Sequence, residues 1–148
     1  MEQDYSKKND SMEQFLSQKR EKWTENLMPL FEFLKEAPTA VYEMQATALS
    51  YRHGLNEEVA YFLNKLSKEM VVLRNLKKDK FIYYATGFGL KTNTGEKNVL
   101  VDGDLSENER TVELLQTHIE FLRDSVKTLD NLQYAVRNRV MLMEYLTK

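Results

Sequence analysis

Residues 63–84, with the sequence LNKLSKEMVVLRNLKKDKFIYY, decide the predicted fold. The apolar side chains in the first half of this stretch recur at alternating steps of three and four, at Leu63, Leu66, Met70 and Leu73. Such spacing places them on one face of an α-helix. The same spacing continues through Lys77, Lys80 and Tyr84, so the apolar face becomes basic and aromatic towards its carboxyl end.

The basic half of this helix is the candidate binding surface. Residues 64–80 hold six basic residues against two acidic ones, in a chain whose formal net charge is −2. Cations beside exposed rings suit a flexible polyanion, since cations hold phosphates and rings offer stacking surfaces. The predicted nucleic-acid-binding residues are Arg74, Lys77, Lys78, Lys80, Tyr83, Tyr84 and Lys91. Two alternatives stay open: the lysines only solvate a helix end, where cations favour the helix dipole, and at least one of the tyrosines packs against the last helix.

The chain before this stretch is predicted to begin with a long helix. Asp10 and Glu13 have the spacing of a capping box, so we expect a helix over residues 11–36. Residues 1–10 are then a flexible N-terminus. Pro29 predicts a kink or a break within the helix, because proline removes a backbone donor.

Two further helices are expected between this first helix and the end of the opening stretch. The first covers residues 39–53 and ends at Gly54, and the second covers residues 56–85. A single long kinked helix is the alternative interpretation of the same pattern.

A glycine-containing loop is predicted next. Residues 86–105, TGFGLKTNTGEKNVLVDGDL, hold four of the five glycines of the chain, and residues 98–101 could form a short strand. A loop of this kind, carrying Lys91, is a plausible contact segment for a ligand, and a tolerant connector is the alternative.

The last part of the chain carries the most regular pattern. Ser106 and Glu109 have capping-box spacing, and residues 106–146 then follow a coiled-coil-like spacing of three and four. We expect self-association through this helix, with an oligomer interface formed by Val112, Leu115, Ile119, Leu122, Val126, Leu129, Val136 and Val140. The fold class is therefore all-α, a helical bundle in which residues 11–148 form one domain.

The composition excludes several classes of protein. The chain has no cysteine, so disulfides and thiolate metal sites are excluded. No apolar run approaches the roughly 20 residues that cross a bilayer, and the first ten residues lack the apolar centre of a signal peptide. We therefore expect a cytoplasmic protein that makes no membrane contact.

No catalytic constellation stands out in the sequence. His53 and His118 are the only histidines and neither has neighbours at metal-ligand spacing. The segment from Gly89 to Gly95 fails as a phosphate-binding loop, because five residues separate the glycines and Glu96 stands where lysine is required. We expect a binding or assembly protein without a cofactor rather than an enzyme.

Residues 42–146 carry a short series of features: Tyr42-Glu43, Lys68-Glu69-Met70, the segment KDKFIYYATG at residues 78–87, Lys97-Asn98-Val99-Leu100, and a basic region at Arg137 and Arg139. In this series the chain resembles the UvsY family of phage recombination mediators. Members of this family bind single-stranded DNA as ring-like oligomers, and they help to load a RecA-type recombinase onto DNA covered by single-strand binding protein.

The resemblance implies a function and its partners. Lys78 and Lys80 match the basic pair that the family uses for DNA binding, and a RecA-type recombinase and single-strand binding protein are the implied partners. The cytoplasm of a host cell is the implied location for a phage-encoded protein. The alternative is a non-enzymatic helical adaptor or structural assembly protein that acts through protein–protein contacts only.

Overall fold

The structure, a computed structural model, describes residues 2–35, 38–87, 89 and 91–148. Four α-helices make up most of it, in the chain order α1 (Glu2–Glu32), α2 (Pro38–Ile82), α3 (Thr94–Asp104) and α4 (Ser106–Leu146). A 3-10 turn, Phe33–Lys35, follows α1, and a π-helical turn, Tyr83–Gly87, follows α2. None of the described residues lies in a strand, which confirms the all-α prediction and corrects the strand expected at residues 98–101.

Helix α1 begins at Glu2, well before the expected start at Ser11. Asn9 explains the early start, because its side chain is buried and its Nδ2 donates a 2.7 Å hydrogen bond to the carbonyl oxygen of Glu107. Asp10, expected to cap the helix, instead accepts a hydrogen bond from Arg110 at 3.0 Å. Residues 2–10 are therefore a continuous part of α1 rather than a separate terminal segment.

Pro29 does not break α1, which continues as an α-helix to Glu32. The chain then tightens into the 3-10 turn, a common form for the end of an α-helix. The predicted end at Glu36 lies outside the described residues. Pro38 opens α2 as its first residue, where the missing backbone donor costs no hydrogen bond.

Helix α2 runs without interruption through Gly54, so the alternative of one long helix is confirmed and the predicted stop at Gly54 is wrong. The glycine has a packing role instead. A Cβ atom at Gly54 would lie 3.4 Å from Cη2 of Trp23, so α2 passes close to the indole ring at this position. Trp23 also donates a 3.0 Å hydrogen bond from Nε1 to Oε2 of Glu58, one turn further along α2.

Helix α3 replaces most of the predicted loop over residues 86–105. A capping box starts it: Asn93 Oδ1 accepts from the backbone N–H of Glu96 at 2.8 Å, and Glu96 Oε2 accepts from the backbone N–H of Asn93 at 3.1 Å. These two bonds satisfy helix donors that would otherwise be orphaned, which offsets the low helix propensity of Gly95 and Gly103. Helix α4 starts and ends where the sequence predicts.

The chain divides into two compact units, and α1, α2 and α4 each contribute residues to both. The first unit comprises Met1–Phe15 and Phe62–Thr117. It contains a small apolar cluster formed by buried Tyr84, Val101 and Leu105 and by the partly buried Leu73, Leu76 and Leu100. This cluster attaches α3 to the end of α2, and it is the part of the fold that positions the candidate site.

The second unit comprises Leu16–Tyr61 and His118–Lys148. Its buried apolar side chains include Leu27, Leu30, Val41, Met44, Leu55, Leu122, Leu129 and Leu132. An edge-on contact between the rings of Trp23 and Tyr51, with centroids 5.9 Å apart, adds to the packing of α1 on α2.

Candidate nucleic-acid interface

The two tyrosines of the π-helical turn lie in different environments. Tyr84 is buried and its hydroxyl donates a 2.5 Å hydrogen bond to Oδ2 of Asp104. This hydrogen bond, together with desolvation, raises the pKa of Tyr84 to about 12. Tyr83 is 50% exposed, and its ring meets the ring of Tyr84 edge-on. Tyr84 is therefore a core residue packed with Val101 and Leu105, which corrects its prediction as a DNA-binding side chain, whereas Tyr83 presents a ring to solvent.

Two of the predicted DNA-binding lysines are held by acidic residues of the same unit. Lys77 Nζ lies 2.8 Å from Oε1 of Glu109 and 3.9 Å from Oδ1 of Asp102. The hydrogen bond to Glu109 raises the pKa of Lys77, against an opposing effect of desolvation. Lys80 Nζ lies 3.7 Å from Oδ2 of Asp104. Both cations are therefore partly neutralised within the fold.

Arg74 and Lys78 differ from these lysines, because both are exposed and neither forms an ion pair with any described residue. Their spacing explains this, since no acidic residue stands three or four positions from either of them along α2. Phe81 follows Lys78 at a further three positions, so the three side chains share one helix face. We call Arg74, Lys78, Phe81 and the neighbouring Tyr83 the α2-end surface.

Basic side chains also approach the exposed rings of this surface. Lys80 Nζ lies 5.9 Å from the centroid of the Tyr83 ring, and Lys97 Nζ of α3 lies 5.8 Å from the centroid of the Phe81 ring. Both distances are close to the outer limit of about 6 Å for a cation–π interaction. One lysine therefore lies near each of the two exposed rings of this surface.

The structure places Lys91 in a short non-helical segment, residues 91–93, before α3, with its side chain exposed. No contact joins it to the α2-end surface among the described residues. A shallow groove of about 500 Å³ does adjoin that surface between α2 and α3, and it is lined by Lys77, Lys78, Phe81, Ile82, Asn98, Val101 and Asp102. Lys78 and Phe81 thus form both an outward surface and one wall of a groove.

The apolar face of α4 that carries the coiled-coil-like spacing, here called the seam of α4, is largely buried within a single chain. Six of the eight predicted interface residues are at most 8% exposed, namely Val112, Leu115, Ile119, Leu122, Leu129 and Val136. The other two, Val126 and Val140, are partly buried. This burial accounts for the coiled-coil-like spacing without a second subunit, so a surface for self-association has to lie elsewhere.

The carboxyl end of α4 exposes a different set of large apolar side chains. Tyr134, Met141, Leu142, Tyr145 and Leu146 are each more than half exposed. Part of this face borders an open groove of about 750 Å³ in the second unit, which is lined mainly by α4 and closed on one side by Tyr42 and Gln45 of α2. Clustered apolar surface of this kind is typical of a site of contact with another protein.

His118 has a structural environment rather than a catalytic one. Its side chain is fully buried, and Arg20 Nη1 lies 3.4 Å from its Nδ1. Desolvation, with a further effect of the Arg20 charge, lowers the pKa of His118 to about 4. The imidazole is therefore neutral at physiological pH.

The described residues contain neither a metal-binding cluster nor a membrane-spanning helix. No group of three or more His, Cys, Asp or Glu side chains in that part of the chain could hold a metal ion. Within the same ranges, every helix is too short or too polar to cross a membrane.

Comparison of the chain with protein-family models, with curated proteins and with solved structures gave no match.

The acidic partners of the site were not predicted from the sequence. Asp102, Asp104 and Glu109 lie in or next to a segment interpreted as a loop, so nothing placed them beside α2. The signal that could have found them is the Asn93–Glu96 capping box. A helix starting there would carry Asp102 and Asp104 at its end, within reach of lysines on the helix that it packs against.

Proposed function

We propose that the protein is a single-stranded DNA-binding recombination mediator, which helps to load a RecA-type recombinase onto DNA covered by single-strand binding protein. The observation that carries the proposal is the α2-end surface, where two exposed cations without acidic partners among the described residues share a helix face with an exposed ring. The mediator role itself comes from the resemblance to the UvsY family.

The arrangement of charge on α2 supports a polyanionic ligand. Arg74 and Lys78 are four positions apart on a helix, a spacing at which like charges repel each other and destabilise the helix slightly. A phosphate backbone bound across both residues would remove that repulsion. The rings of Phe81 and Tyr83 lie at the end of the same path, where unstacked bases of a single strand could pack against them.

The first experiment is a titration of a fluorescently labelled oligo-dT strand, followed by anisotropy at two salt concentrations. We expect binding that weakens with salt, with a slope of log K against log salt of about −0.7 for each phosphate contacted. The test variant is Arg74→Gln with Lys78→Gln, which should weaken binding and flatten the slope by about 1.4.

The matched control is Lys7→Gln with Lys22→Gln, which removes the same charge from two exposed lysines of α1. An equal loss of affinity in the test and control variants would mean that only net charge matters. Absence of oligo-dT binding at low salt would remove the DNA-binding role altogether.

The stacking part of the proposal has its own pair of variants. Tyr83→Ala should weaken oligo-dT binding by about 1–3 kcal/mol, the usual effect of losing one base–aromatic stack. Tyr83→Phe keeps the ring and should bind like the parent protein. Equal affinities of the alanine and phenylalanine variants would show that the ring makes no contact with DNA.

The mediator step requires a functional assay. The DNA-dependent ATPase activity of a RecA-type recombinase, started on DNA already covered by single-strand binding protein, should show a shorter lag when the protein is present. DNA binding without any effect on the lag would restrict the protein to a DNA-binding role.

The second candidate function is a helical adaptor that acts through protein contacts, and the apolar end of α4 favours it. Arg137 and Glu144 are seven positions apart on that face, with Met141 between them. An antiparallel second copy would pair each arginine with the opposite glutamate and bring the two methionines together. The adaptor proposal predicts self-association that DNA does not alter, whereas the mediator proposal predicts self-association together with DNA binding.

A further inference from the structure

The acidic residues at the carboxyl end of α3 contact basic residues that the sequence predicts to bind DNA. Asp104 contacts both Lys80, at 3.7 Å, and the Tyr84 hydroxyl, at 2.5 Å, and Asp102 lies 3.9 Å from Lys77. Carboxylate oxygens thus occupy positions around these lysines that phosphate oxygens of a bound strand would also occupy. Both kinds of oxygen accept charge-assisted hydrogen bonds from an ammonium group.

The ion pairs of α3 are weak enough to be displaced. The side chains of Lys77, Lys80, Asp102 and Asp104 are each between 33% and 60% exposed. Ion pairs at such exposure contribute little, because water and salt screen them. A strand that presents several phosphates in a row can therefore compete with two separate carboxylates.

The apolar attachment of α3 is also limited. Of its 11 residues, only Val101 is buried, and Val99 is 72% exposed. Leu105, directly after the helix, adds a second buried contact. Segments with few buried apolar contacts open at low free energy, so a shift of α3 requires only a small part of the stability of the fold.

From these contacts we propose that α3 is an intramolecular competitor of single-stranded DNA. In the absence of DNA, Asp104 holds Lys80, and Asp102 shares Lys77 with Glu109 of α4. The phosphates of an incoming strand displace the two α3 carboxylates, take over Lys80, and then compete with Glu109 for Lys77. The proposal rests on the proposed DNA-binding function. It divides the site into two parts, since Arg74 and Lys78 meet the strand first and Lys77 and Lys80 join after α3 yields.

The test compares two double variants of equal charge. Asp102→Asn with Asp104→Asn removes the competing carboxylates, and the asparagine at position 104 keeps an oxygen that can accept from Tyr84. Glu113→Gln with Glu120→Gln removes the same charge from two exposed carboxylates of α4 that form no ion pair with any described residue. We expect the α3 variant to bind oligo-dT about three- to tenfold more tightly than the α4 variant, the effect of removing one or two exposed ion pairs.

A double-mutant cycle gives an independent readout. Lys80→Gln should weaken binding at least about threefold more in the Asp104→Asn background than in the parent protein, because the parent lysine must first leave its carboxylate. If only net charge mattered, Lys80→Gln would lower the affinity for oligo-dT by the same factor in both backgrounds. Asp102→Asn alone, which leaves Asp104 and its hydrogen bond to Tyr84 intact, repeats the test without disturbing the buried cluster.

Each outcome has a distinct meaning. Tighter binding of oligo-dT by the α3 variant than by the α4 variant supports the inference. Equal affinities of the α3 and α4 variants overturn the inference and leave the proposed function standing. Failure of every protein to bind oligo-dT at low salt overturns both.

Discussion

The hydroxyl of Tyr84 donates a hydrogen bond of 2.5 Å to Oδ2 of Asp104, and this contact joins the turn after α2 to the last residue of α3. The bond requires a protonated phenol, because a phenolate would face the negative charge of the carboxylate. Asp104 therefore raises the pKa of Tyr84 from 10.0 to about 12. The protonation of one side chain thus affects how firmly α3 is held.

This relationship predicts a loss of stability at alkaline pH. The folded protein keeps the Tyr84 proton up to about pH 12, whereas the unfolded chain releases it near pH 10. The stabilising effect is complete below pH 10 and is lost as the pH rises towards 12, since the unfolded state then binds fewer protons. Denaturant titrations of the parent and Tyr84→Phe proteins over this range should converge. Parallel profiles for the two proteins would refute the assignment, and Tyr83→Phe is the control.

His118 predicts a second pH dependence, at acidic pH and of opposite direction. Its folded pKa of about 4 lies below the value of 6.5 for a free imidazole, because the side chain is desolvated and lies next to Arg20. Below pH 6.5 the unfolded state takes up a proton that the folded state refuses, so stability falls as the pH decreases towards 4. The decrease attributable to His118 should approach about 3 kcal/mol.

Two measurements check this prediction. An NMR titration should give a midpoint near 4 for the imidazole of His118, and Arg20→Gln should move that midpoint upwards. Unfolding profiles of the parent and His118→Gln proteins should differ most in slope between pH 6.5 and 4. A midpoint near 6.5 in the folded protein would contradict the buried environment.

The seam of α4 predicts a stability effect without an effect on assembly. Leu122 is fully buried, so Leu122→Ala should lower the free energy of unfolding by about 2–5 kcal/mol. Val126→Ala, at a partly buried position of the same seam, should have a smaller effect. Light scattering should show the same subunit number for both variants as for the parent protein.

At the exposed face at the end of α4, we expect a substitution to affect self-association and to leave stability nearly unchanged. Met141 is 57% exposed, so Met141→Glu should leave the free energy of unfolding within about 0.5 kcal/mol of the parent value. A charge placed at the centre of the proposed contact between copies should nevertheless reduce the mass measured by light scattering. An unchanged mass for Met141→Glu would show that this face takes no part in self-association.

Two glycines on either side of the α3 capping box should respond to alanine in opposite ways. Gly103 lies inside α3, and a Cβ atom there would meet no atom within 4 Å. Gly103→Ala should therefore raise stability by about 0.5–1 kcal/mol through helix propensity. Gly89 has a φ of +76°, so Gly89→Ala should lower stability by about 1 kcal/mol. Thermal denaturation shows whether each substitution raises or lowers the stability of the protein. A Gly89→Ala protein that is more stable than the parent would contradict the prediction.

The sequence predicts the long elements because their signals extend over many residues. The seam of α4 repeats from Val112 onwards, and the structure buries most of it, so the helix and its inner face follow from periodicity alone. The interpretation of that seam as an oligomer interface is corrected by its burial within a single chain. Periodicity indicates that a face is covered, but it carries no information on whether the cover is the same chain or another copy.

Short elements were harder to predict because local composition opposed the result. Gly95 and Gly103 lower the helix propensity of α3, and the Asn93–Glu96 capping box offsets it through two hydrogen bonds. Gly54 has the residue type of a helix stop, yet α2 continues through it and passes close to Trp23, which is distant in sequence. At the candidate site, the exposure of Arg74 and Lys78 agrees with the sequence prediction, and the pairing of Lys77 and Lys80 depends on an element that the sequence did not predict.

The position of Trp23 determines what the intrinsic fluorescence of the protein can report. It is the single tryptophan of the chain, and its ring contacts Tyr51, Glu58 and Gly54, all within the second unit. The α2-end surface and α3 belong to the first unit, which contains no indole at all. The native tryptophan emission of the protein therefore reports on the packing of the second unit. A tryptophan introduced at Phe81 would give the first unit an optical probe of its own.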